Sequence, residues 1–206
     1  MLRAVLGGFF AVGLLFTPVV SHAQTSAPEK YVLDSPHTQI GFTINHLGFS
    51  NSTGKFLGYE GSFMLDRADL SKSSVAVTIQ TDSLDMGHQT WNEHMKGTDY
   101  FNVAAFPTMT FKSTAVTLTG DDTADVTGDL TLLGVTKPVT LKVKHNKSGP
   151  HPFGENFIAG FDAAATIKRS DFGMTTSLPM VGDDVEIRIS AEGIQEGYQG
   201  ASKGKE

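Results

Sequence analysis

The eight residues Gln39-Ile40-Gly41-Phe42-Thr43-Ile44-Asn45-His46 decide the architecture of this chain. Ile40, Phe42, Ile44 and His46 fall on one side of an extended backbone, and Gln39, Thr43 and Asn45 fall on the other. A period of two is what a strand with one buried face requires, because successive side chains point to opposite sides of the pleat. The alternation recurs outward from this stretch. Val75, Val77 and Ile79 alternate with Ser74, Ala76, Thr78 and Gln80. Val139, Leu141 and Val143 alternate with Thr140, Lys142 and Lys144, and Val185, Ile187 and Ile189 with Glu186, Arg188 and Ser190. Further strands are predicted at Phe56 to Leu65, Thr108 to Leu118, Val126 to Leu133 and Ile158 to Ile167, which makes about eight or nine antiparallel strands.

Turn chemistry separates them at Asn51-Ser52-Thr53-Gly54, Thr119-Gly120-Asp121-Asp122, Gly134 to Pro138, and Ser148 to Gly154. The Gly134 to Pro138 segment is short enough for a hairpin, with Pro138 confined to the first position of the next strand. Between Met86 and Tyr100 the alternation stops. Trp91 and Met95 stand four apart there, on one face of a short helix packed over one end or side of the sheet. From about residue 193 the chain is polar and glycine-rich, the composition of a loose tail. No internal repeat and no second domain are visible.

The N-terminus carries Arg3, an apolar run from Ala4 to Val20, and small residues at Ser21 and Ala23. This is the plan of a secretory signal cleaved after Ala23, so residues 1–23 are expected to be removed and residues 24–206 to form one domain. The run is only just short of a membrane span, but Pro18 and the small-residue site suit cleavage, and no integral span is then left. The expected location is the periplasm. Loss of Arg3 turns 16 basic residues into 15 against 22 acidic, a balance of −7. That surface repels phosphate backbones, which argues against nucleic acid as a partner. The absence of cysteine removes disulfides, thiol catalysis and thiolate metal sites.

A sheet with one apolar face hides it either in a sandwich or in a closed barrel, and periodicity does not choose between them. The inventory of flat rings and pliable thioethers is large: Phe42, Phe49, Phe56, Phe63, Phe101, Phe106, Phe111, Phe157, Phe161 and Phe172, with Met95, Met109 and Met174. Such side chains line an adaptable tunnel or fill a solid core, each contributing ~1.5 to 3 kcal/mol on burial in the second case. Ala159, Ala163 and Ala165 lie in register with Phe161 and Ile167 and leave space on that face. Arg169, at the opening of the Arg169-Ser170-Asp171-Phe172-Gly173 turn, is the first candidate for a polar head group; an ion pair with Asp171 or another nearby acid that pins the turn is its structural alternative. His46, Asn45 and Asp99 follow as candidates.

Other chemistries are not supported. Asp171-Phe172-Gly173 matches a kinase tripeptide without the rest of the kinase motifs, and no Gly-x-Ser-x-Gly elbow occurs. His88 and His94 are six apart and no His-Glu-x-x-His pattern is present, so no metal site is assigned. Asp121-Asp122 and Asp183-Asp184 fall in predicted turns, where solvated acids are ordinary.

Several blocks in fixed order carry a family resemblance: Tyr31-Val32-Leu33-Asp34-Ser35-Pro36-His37, then Asn45-His46-Leu47-Gly48, then Asp99 to Phe111 (D-Y-F-N-V-A-A-F-P-T-M-T-F). Gly134-Val135-Thr136-Lys137-Pro138-Val139 and Lys168-Arg169-Ser170-Asp171-Phe172-Gly173-Met174 complete the series. Over Tyr31 to Glu192 the chain resembles the YceI family of small secreted lipid-binding proteins. The resemblance implies a lipocalin-like antiparallel β-barrel of about eight strands holding a polyprenyl or other long apolar chain. It implies a carrier rather than an enzyme, with a polyprenyl phosphate or isoprenoid quinone as ligand and no other cofactor. Fatty acyl compounds or lipophilic toxicants are alternative guests, and an envelope-stress accessory or hydrolase with an incidental pocket is the alternative class.

The expected ligand contacts are Phe42, Ile44, His46, Phe49, Phe56 and Phe63 from the first third of the domain. Trp91, Met95, Phe101, Phe106, Met109 and Phe111 follow, then Phe161, Ala163, Ala165, Arg169, Phe172 and Met174. A tail of about 40 carbons at roughly 0.3 kcal/mol per heavy atom reaches roughly 12 kcal/mol, a nanomolar-range affinity without any catalytic group. Inner-membrane enzymes or electron carriers are the expected recipients, and unpaired strand edges leave a homodimer open.

Overall fold

The computed structural model describes residues 27–199. Its strands are β1 (Glu29–Leu33), β2 (Gln39–His46), β3 (Ser50–Phe56), β4 (Tyr59–Leu65), β5 (Ser74–Gln80), β6 (Leu84–Asp85), β7 (Thr108–Leu118), β8 (Thr123–Leu132), β9 (Val135–Pro150), β10 (Phe157–Lys168) and β11 (Val181–Gln195). One α-helix, α1 (Gln89–Lys96), lies between β6 and β7. The order β1-β4-β5-β7-β8-β9-β10-β11 closes on itself through the β1–β11 ladder, in which Tyr31 stands opposite Gln195 and Leu33 opposite Gly193. Every pairing is antiparallel. The result is the expected eight-stranded barrel, and closure leaves that ring without an edge.

Strand β11 serves two neighbours on one side. Its last three residues pair with β1, while Val185 to Ser190 pair with β2. β2 takes over from β1 after a 3₁₀ turn at Ser35–His37, where Pro36 supplies a fixed φ suited to the start of a turn. β3 pairs with β2, and the two-residue β6 adds to β3 beside α1. The predicted helix is therefore present, at one end of the barrel.

Three turns differ from expectation. Asn51 to Gly54 is strand, not turn: the chain reverses one step earlier, at Leu47 and Gly48, whose φ values are 57° and 76°. The segment Phe56 to Leu65 is broken at Leu57-Gly58 into β3 and β4. The β8–β9 hairpin turns at Leu133 and Gly134, both with positive φ, so Pro138 is the fourth residue of its strand and not the first. Pro138 opposes Asp129, and the β9–β10 ladder begins only at Lys142 opposite Ala164. Its missing N–H points toward β10, where no ladder bond is waiting, so the proline is tolerated. β9 also extends to Pro150, into the expected loop, and β11 carries pairing to Gln195, past the expected start of the tail. The predicted signal segment lies outside the described residues.

One irregularity sets which side chains face inward. The β7–β8 register shifts between Ser113 and Ala115, and a bulge of this kind inserts one unpaired residue. Met109 and Phe111 therefore point into the barrel before it, and Val116 and Leu118 after it.

Candidate functional site

The inward side chains leave open space along the barrel. They enclose an elongated cavity of about 800 Å³ lined mainly by aliphatic and aromatic groups. β5 supplies Val75, Val77 and Ile79; β9 supplies Val139, Leu141 and Val143; β11 supplies Val185, Ile187, Ile189 and Ala191. This volume lies in the upper part of the ~300–1,000 Å³ range of ligand pockets. From Val181 to Ala191 the lining rises ~33 Å along β11, or ~25 Å along the axis of a barrel with ordinary strand tilt. The tube reaches from α1 at one end to Leu118, Asp121 and Asp122 of the β7–β8 hairpin at the other.

Glycines set its cross-section. A β-carbon at Gly54 would meet Cζ of Phe42 at 2.5 Å, and one at Gly128 would meet Cζ of Phe111 at 2.5 Å. The ring of Phe63 covers Gly193 in the same way. The Phe42 and Phe111 rings lie over the adjacent strand where it lacks a side chain, and the Phe63 ring reaches past β1 to Gly193 on β11, so this aromatic bulk takes up space along the wall.

Most of the residues expected to contact a ligand converge on the tube. Phe42, Ile44, His46, Phe56, Phe63 and Trp91 line it, as do Met95, Phe101, Met109, Phe111, Phe161, Ala163 and Met174. Phe49 does not: it sits in the β2–β3 turn and is 89% exposed. Phe172 is buried in the core beside the tube rather than on its wall, held there by the 3₁₀ turn Arg169–Phe172. Phe106 packs on the β8–β9 turn, its ring 2.9 Å from where a β-carbon of Gly134 would stand. Ala165 packs against the core without lining the tube. The aliphatic members of the alternating strands, such as Val77, Leu141 and Ile187, are the lining residues that a search for rings and thioethers missed. Their signal was the shared inward parity.

Arg169 borders the tube but is only 3% exposed, and its guanidinium is engaged. Nε donates to the Gly182 carbonyl at 2.8 Å, Nη1 to the carbonyls of Met174 and Thr176 at 3.0 and 2.8 Å, and Nη2 to that of Val181 at 3.1 Å. Burial lowers its pKa from the ordinary value. These bonds tie the 169–174 turn to the strand entry at 181–182, so the residue pins the turn through backbone carbonyls and not through an ion pair with Asp171. Its neighbour Ser170 donates N–H and hydroxyl to Asp183 at 2.9 and 2.8 Å, which holds the Asp183 carboxyl below its usual pKa.

Polar groups gather at the α1 mouth. His94 and Tyr100 rings stand 5.0 Å apart, and the Tyr100 hydroxyl is 3.4 Å from Ser177 Oγ. All three line the tube, whereas Asn45 is exposed on the outside and Asp99 is exposed and absent from the lining. Toward the opposite end Tyr31 stacks on Phe63 at 4.8 Å, and Phe63 meets Phe161 edge-on at 5.3 Å. Arg67, also in the lining, donates from Nε to Glu29 at 2.8 Å and from Nη2 to the Tyr31 hydroxyl at 3.0 Å. Outside the barrel, Asp34, His37 and Glu192 bring their ligand atoms within 4.8 Å of one another, and the Asp34 carboxylate raises the His37 pKa. No helix among the described residues is long and apolar enough to cross a membrane.

Comparison with known proteins agrees with the barrel. A YceI-like domain matches residues 31–193. The YceI protein of Salmonella arizonae is 41% identical over 189 residues, which covers 92% of this chain and 96% of the relative. The crystal structure of the Campylobacter jejuni YceI protein is 32% identical, covers 79% of this chain and 95% of its own, and superposes with a TM-score of 0.66. A polyisoprenoid-binding domain from Saccharophagus degradans, 17% identical with a TM-score of 0.59 over 80% of this chain and 98% of its own, shares the fold. Ordered sequence blocks, a closed eight-stranded barrel and these matches together place the chain in the YceI family.

Proposed function

We propose that this protein is a periplasmic carrier that encloses the apolar tail of an isoprenoid lipid. The observation that carries the reading is the hollow interior of about 800 Å³, walled by apolar side chains and with no lysine in its lining. Its two lining arginines, Arg67 and Arg169, already donate to protein acceptors. A head group recognised through hydroxyl and imidazole contacts, such as a quinone, suits such a mouth better than a phosphate that needs a free guanidinium fork. The shared fold of a domain described as polyisoprenoid-binding supports a tail of this class.

The mechanism is shielding. Apolar surface leaves water when the tail enters the tube, and this alone supplies the affinity. The head stays at the α1 mouth beside His94, Tyr100 and Ser177, in reach of a membrane enzyme or electron carrier. Native mass spectrometry after gentle purification tests the proposal. A copurifying isoprenoid mass is expected; a ligand-free protein that turns over an ester or phosphate substrate overturns it.

A further inference from the structure

The α1 mouth is bordered by apolar side chains that burial does not explain. Phe49 is 89% exposed, Met180 64%, Leu47 44% and Trp91 41%. They are neighbours: the Leu47 N–H donates to the Met180 carbonyl at 3.2 Å, His46 stands opposite Val181, and the His46 and Trp91 rings are 6.1 Å apart. His46, Trp91 and Val181 also line the tube, so patch and tube share one rim.

Turn chemistry does not explain Leu47 either. At φ 57° a glycine, asparagine or aspartate is favoured, and other L-residues incur ~1–2 kcal/mol. Leu133 occupies the matching position of the β8–β9 hairpin with φ 52°, but its side chain is packed against the core, which offsets the strain. Leu47 is exposed and has no such compensation.

Charge sets this mouth apart. The segments that carry Leu47, Phe49 and Met180, residues 39–54 and 172–182, contain no Asp, Glu, Lys or Arg in a chain that is 18% charged, while Trp91 stands on α1 two residues from exposed Glu93. At the opposite end Asp121 and Asp122 stand in the lining itself. A protein partner seeking charge complementarity finds nothing to pair with on the 47–49 loop or at Met180. A bilayer asks only for apolar groups that enter its interface, and a hydrocarbon tail crossing this rim would pass from membrane to tube without meeting water.

We propose that the 47–49 loop, with Met180 and Trp91, is a bilayer-docking tip through which the tail is drawn from the membrane. The inference rests on reading the tube as a lipid carrier. Docking is shallow and driven by apolar insertion, since the expected mature charge of −7 offers no attraction to anionic lipid.

The test uses phosphatidylcholine vesicles, with and without a long-chain isoprenoid quinone, and the mature protein in three forms: wild type, Phe49→Ser/Met180→Ser, and Leu47→Asn. Wild type is expected to float with empty vesicles and to extract quinone, and the double variant to lose about tenfold in both. Quinone delivered from detergent micelles should load both proteins equally, because Phe49 and Met180 are outside the tube. Leu47→Asn should reduce flotation while Tm does not fall, since asparagine suits that turn; a purely structural role for Leu47 predicts the reverse. Flotation unchanged in the variants, or absent in wild type, overturns the docking tip. A wild-type dimer that the double variant disperses, with no flotation, also overturns it in favour of a second copy. Failure of detergent loading in every form removes the lipid reading, while flotation of empty vesicles still reports on docking.

Discussion

The ring of Phe111 lies across Gly128 on the neighbouring strand, in the space that any other residue's β-carbon would occupy. That β-carbon would also meet the Lys112 carbonyl oxygen at 2.6 Å and Ser113 Cα at 2.8 Å, so the backbone has to move as well as the ring. Gly128→Ala is expected to destabilise the barrel by about 1–3 kcal/mol, read from the midpoint of urea unfolding, and to turn Phe111 into the tube with loss of ligand.

Ala163 and Ala165 are two residues apart on β10, yet only Ala163 lines the tube. Ala163→Phe should fill the lumen and weaken lipid binding by about tenfold or more while thermal stability changes little. Ala165→Phe should instead overpack the core and lower stability by about 1–3 kcal/mol. Loading assays and thermal scans on the two variants separate these outcomes; an equal effect on binding would remove the assignment of Ala163 to the wall.

Arg169 holds four backbone carbonyls. Arg169→Ala leaves these acceptors unpartnered and is expected to lower stability by about 3 kcal/mol or more. Arg169→Lys should rescue little, because an ammonium has three donors and no planar fork. Chemical denaturation measures both. A neutral Arg169→Lys variant with altered head-group preference would return the residue to ligand binding.

The Tyr31 hydroxyl is pushed up to about 12, first by burial and then by its hydrogen bond to Glu29. Its unfolded value is lower, so the folded state keeps the proton longer and stability falls as pH rises from about 10 to about 12. Over those two pH steps the loss is of order 2–3 kcal/mol. Tyr31→Phe should flatten this alkaline slope. Unfolding midpoints across that pH range measure it, and an unchanged slope in the variant assigns it to other groups.

Much of this fold was legible in the sequence because a half-buried strand announces itself by parity, as in Ile40, Phe42 and Ile44. The hollow centre was legible only through the family resemblance, since the same rings also fit a solid core. What opens it is the pairing of Phe42 with Gly54, Phe111 with Gly128 and Phe63 with Gly193, and these partners lie on different strands. No local window contains both members of the Phe111–Gly128 or Phe63–Gly193 pairs. The partners of Arg169 were hidden for a similar reason: three of its four acceptors come from residues 176–182, after the chain has turned back. Phe49 was misread because composition counts an exposed ring and a lining ring alike.

The double pairing of β11 has a consequence for assembly. This strand is the last to be made, yet it supplies the partner edge for β10, β2 and β1. The ring stays open until nearly the whole polypeptide is in hand, and its final seam joins opposite ends of the sequence. Such non-local closure places folding among the slow, millisecond-to-second class of β proteins. During that interval the greasy inner wall is uncovered, and it stays so until residue 195 zips against residue 31.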